Sequence, residues 1–262
     1  MSVRGDLTAE YASRLRWGSA TRYHRGMSSP TAAPEPVPTP STDEQDHRAD
    51  EQDRAIGKLF AVLLAGEYAA FYRLIEESAM APDVPSGIAI ARMAASEISH
   101  FEQLSVQVTQ RGIDPAEAVV RYRKVFDQYH EATTPSTWLE SLVKAYVGDG
   151  LAADFYSEVA EMMPAAARDV VAEVMSATGS SQFAREQVRA AIAADPALRS
   201  PLTLWGRRLL GEAVTHAQWV LAAEEDVMDL LFSGTSSLHG LADFFESITQ
   251  KHAQRMSDMG LG

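Results

Sequence analysis

Glu97-Ile98-Ser99-His100 places a carboxylate and an imidazole one helical turn apart, on one face. A second carboxylate, Glu67, lies in the middle of the preceding apolar-periodic stretch. Four-helix bundles use this spacing to hold a pair of iron or manganese ions in their cores. The chemistry on offer is therefore a divalent metal bound by carboxylate oxygen and imidazole nitrogen, with O2 as its natural co-reactant.

The periodicity says why these residues stand out. In the first stretch the apolar stripe reads Phe60, Leu63, Leu64, Glu67, Phe71, Leu74; in the second it reads Ile90, Met93, Ala94, Glu97, His100, Phe101, Leu104, Val108. Glu67, Glu97 and His100 take positions that a 3.6-residue period assigns to the core. A buried carboxylate is costly unless it is paired or metal-bound. Glu67 lies about twelve residues before the end of its helix and Glu97 about twelve after the start of the next, so an antiparallel hairpin sets them side by side. The alternative is a buried, hydrogen-bonded Glu–His cluster with no metal. Glu102 falls on a solvated face.

Two further acidic candidates lie in Tyr146-Val147-Gly148-Asp149-Gly150-Leu151-Ala152-Ala153-Asp154-Phe155-Tyr156. Asp149 continues the stripe Leu139, Leu142, Tyr146, Ala153, Tyr156, and Asp154 continues Val143, Val147, Leu151. Each is a candidate metal ligand, or else a polar cap on a kink. Glycine inside a helix costs about 1 kcal/mol against alanine, so Gly148 and Gly150 mark a bulge or a close helix contact. A complete two-metal site wants another Glu-x-x-His. The following stretch has none, only Glu173, Thr178, Ser180, Ser181, Gln182 and Glu186, and Glu186 has Arg189 where a histidine would be needed. Glu212 and His216 share a face with Trp205, Leu209 and Val220, and are either ligands or a second buried polar pair.

The elements that must position these groups are helical throughout. From residue 50 onward, prolines fall at helix first turns, where a missing N–H costs nothing. The pattern predicts helices over about 50–79, from Pro85 to near Gly112, from Pro115 to 131, from Pro135 to 162, from Pro164 to near Asp195 with an interruption at Gly179, from Pro201 to 232, and over 239–258. Strand signals are nearly absent. The expectation is an all-α chain: a four-helix bundle with additional helices over 50–258, preceded by a disordered, proline- and serine-rich tail over 1–49.

Composition narrows the chemistry. Of 262 residues 46% are hydrophobic, enough for a sizeable core, and none is cysteine, which excludes disulfides and thiolate metal sites. The formal charge of −13 provides no global field for nucleic acid. No apolar run of membrane-spanning length and no secretory h-region is evident, so no membrane partner is expected and the cytoplasm is the expected compartment.

The segments GEYAAFYRL, AASEISHFEQL, WLESLVKAYVGDGLAADFYSEVA and LWGRRLLGEAVTHAQWVL resemble the ferritin-like proteins of actinobacteria grouped with tRNA hydroxylases of the MiaE type, over about residues 55–256. The resemblance implies a ferritin-like bundle, a non-haem diiron centre, O2 as co-substrate and hydroxylation of an isopentenyl group on a tRNA adenosine. Carried over by position, it makes Glu67, Glu97 and His100 the first half of the metal set and Asp149 or Asp154 the next carboxylate. It also implies an aspartate and a histidine near Ser176 and Ser180, where this chain has serine. One or two iron ions, with manganese as the alternative, is thus the expected cofactor. A tRNA partner would need a local basic patch among Arg121, Arg123, Lys124, Arg207, Arg208, Lys251, His252 and Arg255. The competing functions are a monooxygenase, an iron-binding or iron-oxidising protein without an organic substrate, and a non-catalytic bundle; each is compatible with a homo-oligomer.

Overall fold

The consecutive residues Leu59 to Ala65 are all buried, on every side of one helix. A helix that is apolar all round must be a core element, and this one, α1 (Thr42–Ser78), packs against several neighbouring helices. A computed structural model describes residues 42–175, 181–232 and 237–262. Among these residues the chain is helical with no strand: α1, α2 (Val84–Gln110), α3 (Pro115–Ala132), α4 (Trp138–Met162), α5 (Ala165–Met175), α6 (Gln182–Ala194), a 3-10 turn at Pro196–Leu198, α7 (Arg199–Ala223), α8 (Glu225–Phe232) and α9 (Ser237–Asp258).

Helix boundaries follow local chemistry. Asp83 caps α2 by accepting from the Ser86 amide, and Pro85 sits in the first turn. The same helix stops at Gly112, whose φ of 74° suits glycine; Ile113 N–H donates to Val108 O and Gly112 N–H to Thr109 O. Thr137 caps α4 by accepting from the Glu140 amide, while Glu140 reaches back to the Ser136 amide.

Three boundaries differ from the sequence expectation, the first being α4, which begins at Trp138 behind its Thr137 cap rather than at Pro135. α1 begins at Thr42, inside the segment expected as tail; Asp43–Arg54 are exposed and burial starts at Ala55, so these first turns are a solvated extension the apolar pattern does not register. The helix expected to end at 232 breaks at Glu224, whose φ of −121° and ψ of 81° leave the helical region. The Glu224 carboxylate is held there by Arg121 and Tyr122 of α3, with Lys58 of α1 at 3.4 Å. α5 ends at Met175 and α6 begins at Gln182, on either side of the interruption expected at Gly179; Gly179, Ser176 and Ser180 lie outside the described residues.

α1 is also long and apolar enough to cross a membrane by composition, against the sequence expectation that no such stretch exists, but most of that window is buried against neighbouring helices. α1 pairs with α2, and α4 with α5 and α6; α2 meets α5, α3 packs between α1 and α7, and α7, α8 and α9 pack on α4. Contacts Glu67–His100 and Asp53–Arg111 set α1 and α2 antiparallel, and Glu77–Lys144 and Glu67–Tyr156 do the same for α1 and α4.

Candidate metal centre

Where the all-round apolar run of α1 ends, Glu67 projects toward α2 and α4. His100 Nδ1 lies 3.3 Å from Glu67 Oε2 and 3.9 Å from Glu97 Oε2. Glu67 and His100 are buried and Glu97 nearly so, at 13% side-chain exposure. One ligand atom from each of the three lies within 4.8 Å of the others. The Tyr156 hydroxyl donates to Glu67 Oε1 from α4, and the Glu67 and Glu97 carboxyls hydrogen-bond to each other. The other ring nitrogen of His100, Nε2, is 3.5 Å from Ser96 Oγ, a second partner that orients the ring.

Asp149 joins this group electrostatically. Its charge disfavours ionisation of both Glu67 and Glu97, and the Ser181 hydroxyl hydrogen-bonds it. Burial pushes all three carboxyls up. Glu97 is pushed furthest, to about 10, by burial first and then by the bond to Glu67 and the charges of Glu67 and Asp149. Glu67 is held back by the bonds from Glu97 and Tyr156, and Asp149 by Ser181, His100 and Arg255. The cluster has more carboxylates than local cations, so without another positive charge it keeps protons at neutral pH. A divalent cation supplies that charge and displaces the proton, and the oxygen-rich donor set with one imidazole fits iron or manganese. The residues therefore fit the expected metal.

The structure does not bring Asp154 to this group. Its carboxylate is paired with Arg255 of α9, which also donates to Gly150 O at 2.8 Å. A Cβ at Gly150 would overlap the Arg255 guanidinium, which explains that glycine as a close helix contact; a Cβ at Gly148 would meet nothing within 4 Å. Glu186 is exposed and bonded to Gln182. His216 donates from Nδ1 to Glu212 O at 2.7 Å, its own preceding turn, and stands with Tyr129 and His130 rather than with the trio.

The trio opens on an apolar cavity of about 280 Å³, lined by Leu59, Leu63, Met93, Leu151 and Phe155 among others. The same cavity is lined by Glu77, Tyr129, His130, Lys144 and His216. Sequence reading missed Tyr156 as a site residue, and this second polar group except His216. Two signals pointed to them: Tyr156 shares the Asp149 stripe, and Lys144 interrupts the apolar run Leu142-Val143-Lys144-Ala145.

Fold and site together define a helical-bundle protein with a carboxylate–histidine candidate metal centre. A family model described as the ferritin-like domain of actinomycetes matches residues 50–234, and the chain belongs to this family. No curated protein matches the chain.

Proposed function

We propose that this protein is an iron-dependent hydroxylase that uses O2 on a small apolar group held in the cavity beside Glu67, Glu97 and His100. One observation carries the reading: a buried two-carboxylate, one-imidazole set faces an apolar cavity large enough for an organic occupant. When bound, the metal supplies O2 activation. The chain supplies the rest. Glu97 gives up its proton as the cation enters. Tyr156, whose phenol burial and Glu67 hold well above its usual range, stays protonated and keeps donating to Glu67 Oε1. Ser96 steadies the His100 ring, and Leu59, Leu63, Met93 and Phe155 keep bulk water from the site.

Likeness to the tRNA hydroxylases in the segments around Glu97 and Asp149 supports hydroxylation as the reaction type. It supports tRNA as the carrier less well, because most of the cations it would need are already engaged. Arg121 pairs with Glu224, Arg123 with Asp127, Lys251 with Glu158 and Arg255 with Asp154; His252 is buried. Arg208 lies over the Trp205 ring. Free small molecules are therefore the substrates to test first.

The mutual hydrogen bonds of Glu67, Glu97 and Tyr156 favour a second reading, a metal-free polar cluster. Metal analysis of protein purified after expression with added iron separates the two, with Glu97→Ala/His100→Ala as the control. One or two irons per chain, lost in the double variant, is the expected result. Absence of iron from the wild type, with melting unchanged on adding ferrous ion, overturns the proposal. Iron taken up and oxidised, but with no O2 consumption stimulated by any apolar compound, indicates an iron-oxidising protein without an organic substrate.

A further inference from the structure

The second polar group of the cavity has no part in holding a metal. Glu77 lies ten residues after Glu67 on α1, about 15 Å further along the helix. Between these levels the wall consists of Ala70 and Leu74 of α1, Ala145, Gly148 and Leu151 of α4, and Phe126 of α3. At the Glu77 level, Lys144 donates to Glu77 Oε1 at 2.6 Å, both side chains being nine-tenths buried. Beside this pair stand His130, at 8% exposure, and His216, at 7%.

Two ring nitrogens here, His130 Nδ1 and His216 Nε2, have no hydrogen-bond partner within the described protein. Buried polar atoms are rarely left unpaired, because each costs about 1–3 kcal/mol. The tautomer of His216 is set by its neighbour: Nδ1 carries the proton that the Glu212 carbonyl accepts at 2.7 Å. In the neutral ring Nε2 then carries a lone pair and requires a donor. The adjacent lysine is already neutralised by Glu77, and Arg73, which lines the same cavity, pairs with Glu76 at 2.9 Å, so both cations at this end already have carboxylate partners and an anionic head is disfavoured.

We infer that this end of the cavity is a binding site for the neutral, hydrogen-bond-donating head of an otherwise apolar small molecule, such as a primary alcohol, whose hydroxyl donates to His216 Nε2 and finds a second hydrogen-bond position at His130 Nδ1. The apolar body lies along Leu74, Ala145 and Gly148 toward Glu67. This deepens the proposed function by naming a substrate class, yet the binding itself needs no metal.

The test is calorimetric titration of the full, metal-free chain with 1-octanol, its isomer 1-methoxyheptane, and octanoate. The ether accepts but does not donate, and octanoate is anionic. The expected result is that 1-octanol binds about tenfold tighter than the ether, the worth of one buried hydrogen bond, and tighter than octanoate. In His216→Leu the alcohol-over-ether preference falls to within about twofold while ether binding persists, since the apolar wall is untouched. Equal binding of alcohol and ether by the wild type overturns the inference, as does a preference for octanoate or no binding of any of the three. The wild-type comparison stands alone if the variant does not fold. Because no iron is present, failure here leaves the metal reading intact, and failure of the iron analysis leaves this one intact.

Discussion

Glu67 and Glu77 are the same residue type on the same helix, both buried and both facing α4, yet their charges are handled in opposite ways. Glu77 meets a lysine carried by the chain, Lys144 at 2.6 Å. Burial pushes its carboxyl up and the ammonium pulls it back, with burial the larger cause. Glu67 meets other acids, a phenol and an imidazole: Glu97, Asp149, Tyr156 and His100. One carboxylate has a permanent counter-charge; the other has partners that hold protons and are able to exchange them for a cation. The built-in ion pair belongs to the architecture, and the proton-sharing cluster is the candidate metal centre.

The largest expected effect comes from breaking the built-in pair. Lys144→Met leaves Glu77 buried and unpaired, and urea unfolding should show a loss of about 3–5 kcal/mol, most of it recovered in Glu77→Leu/Lys144→Met. Glu97→Gln fixes the form that the metal-free fold already prefers. It should leave unfolding at neutral pH unchanged or improved while abolishing iron uptake. Equal destabilisation by Lys144→Met and Glu97→Gln would collapse the contrast.

The pH dependence tests the cluster from its other side. Glu97 has a folded value raised from 4.5 to about 10. Between these values the folded state binds more protons than the unfolded one, so its stability contribution is full below 4.5 and declines as pH rises toward 10. The metal-free wild type should lose up to about 1.4 kcal/mol per pH unit relative to Glu97→Gln across that window. Iron affinity should rise over the same range, as proton release favours the metal. Parallel stability curves for the two proteins would refute the assignment of the proton to Glu97.

Tyr156→Phe removes one donor from Glu67 and should lower iron affinity about ten- to hundredfold, measured by chelator competition, with little change in the Glu77–Lys144 region. The smallest effect comes from the two glycines of α4. Gly150→Ala displaces Arg255 from Asp154 and should cost a net of about 1 kcal/mol after the gain in helix propensity. Gly148→Ala has room and should stabilise by up to about 1 kcal/mol, while narrowing the cavity between its two polar ends and weakening 1-octanol binding. Thermal melts and the same titration read both.

Much of the centre was legible because it is local. Glu97 and His100 are one turn apart, and the stripe that should be apolar is interrupted at Glu67; no knowledge of other helices is required. The choice between Asp149 and Asp154 was not legible. Both continue an apolar stripe, because α4 is enclosed on nearly every side, and enclosure removes the asymmetry on which a periodicity argument depends. What separates them is Arg255, a hundred residues away on α9, which takes Asp154. Glu212 and His216 stayed open for a similar reason: their spacing suits either a ligand pair or a buried polar pair, and only the structure shows the ring turned to its own backbone, near His130.

What the sequence by itself determined is whatever depends on neighbours within a turn or two: helix type, the start at Asp114-Pro115, the stop at Gly112, and the metal-like spacing at Glu97 and His100. Tertiary structure alone decided which carboxylate meets a cation and which meets another acid, where the break at Glu224 falls, and that one cavity carries two polar ends. The physical reason is range. Backbone hydrogen bonds and apolar periodicity act over a few residues and repeat along the chain. A buried charge is settled by whichever group the packing of distant helices brings within about 3–4 Å of it.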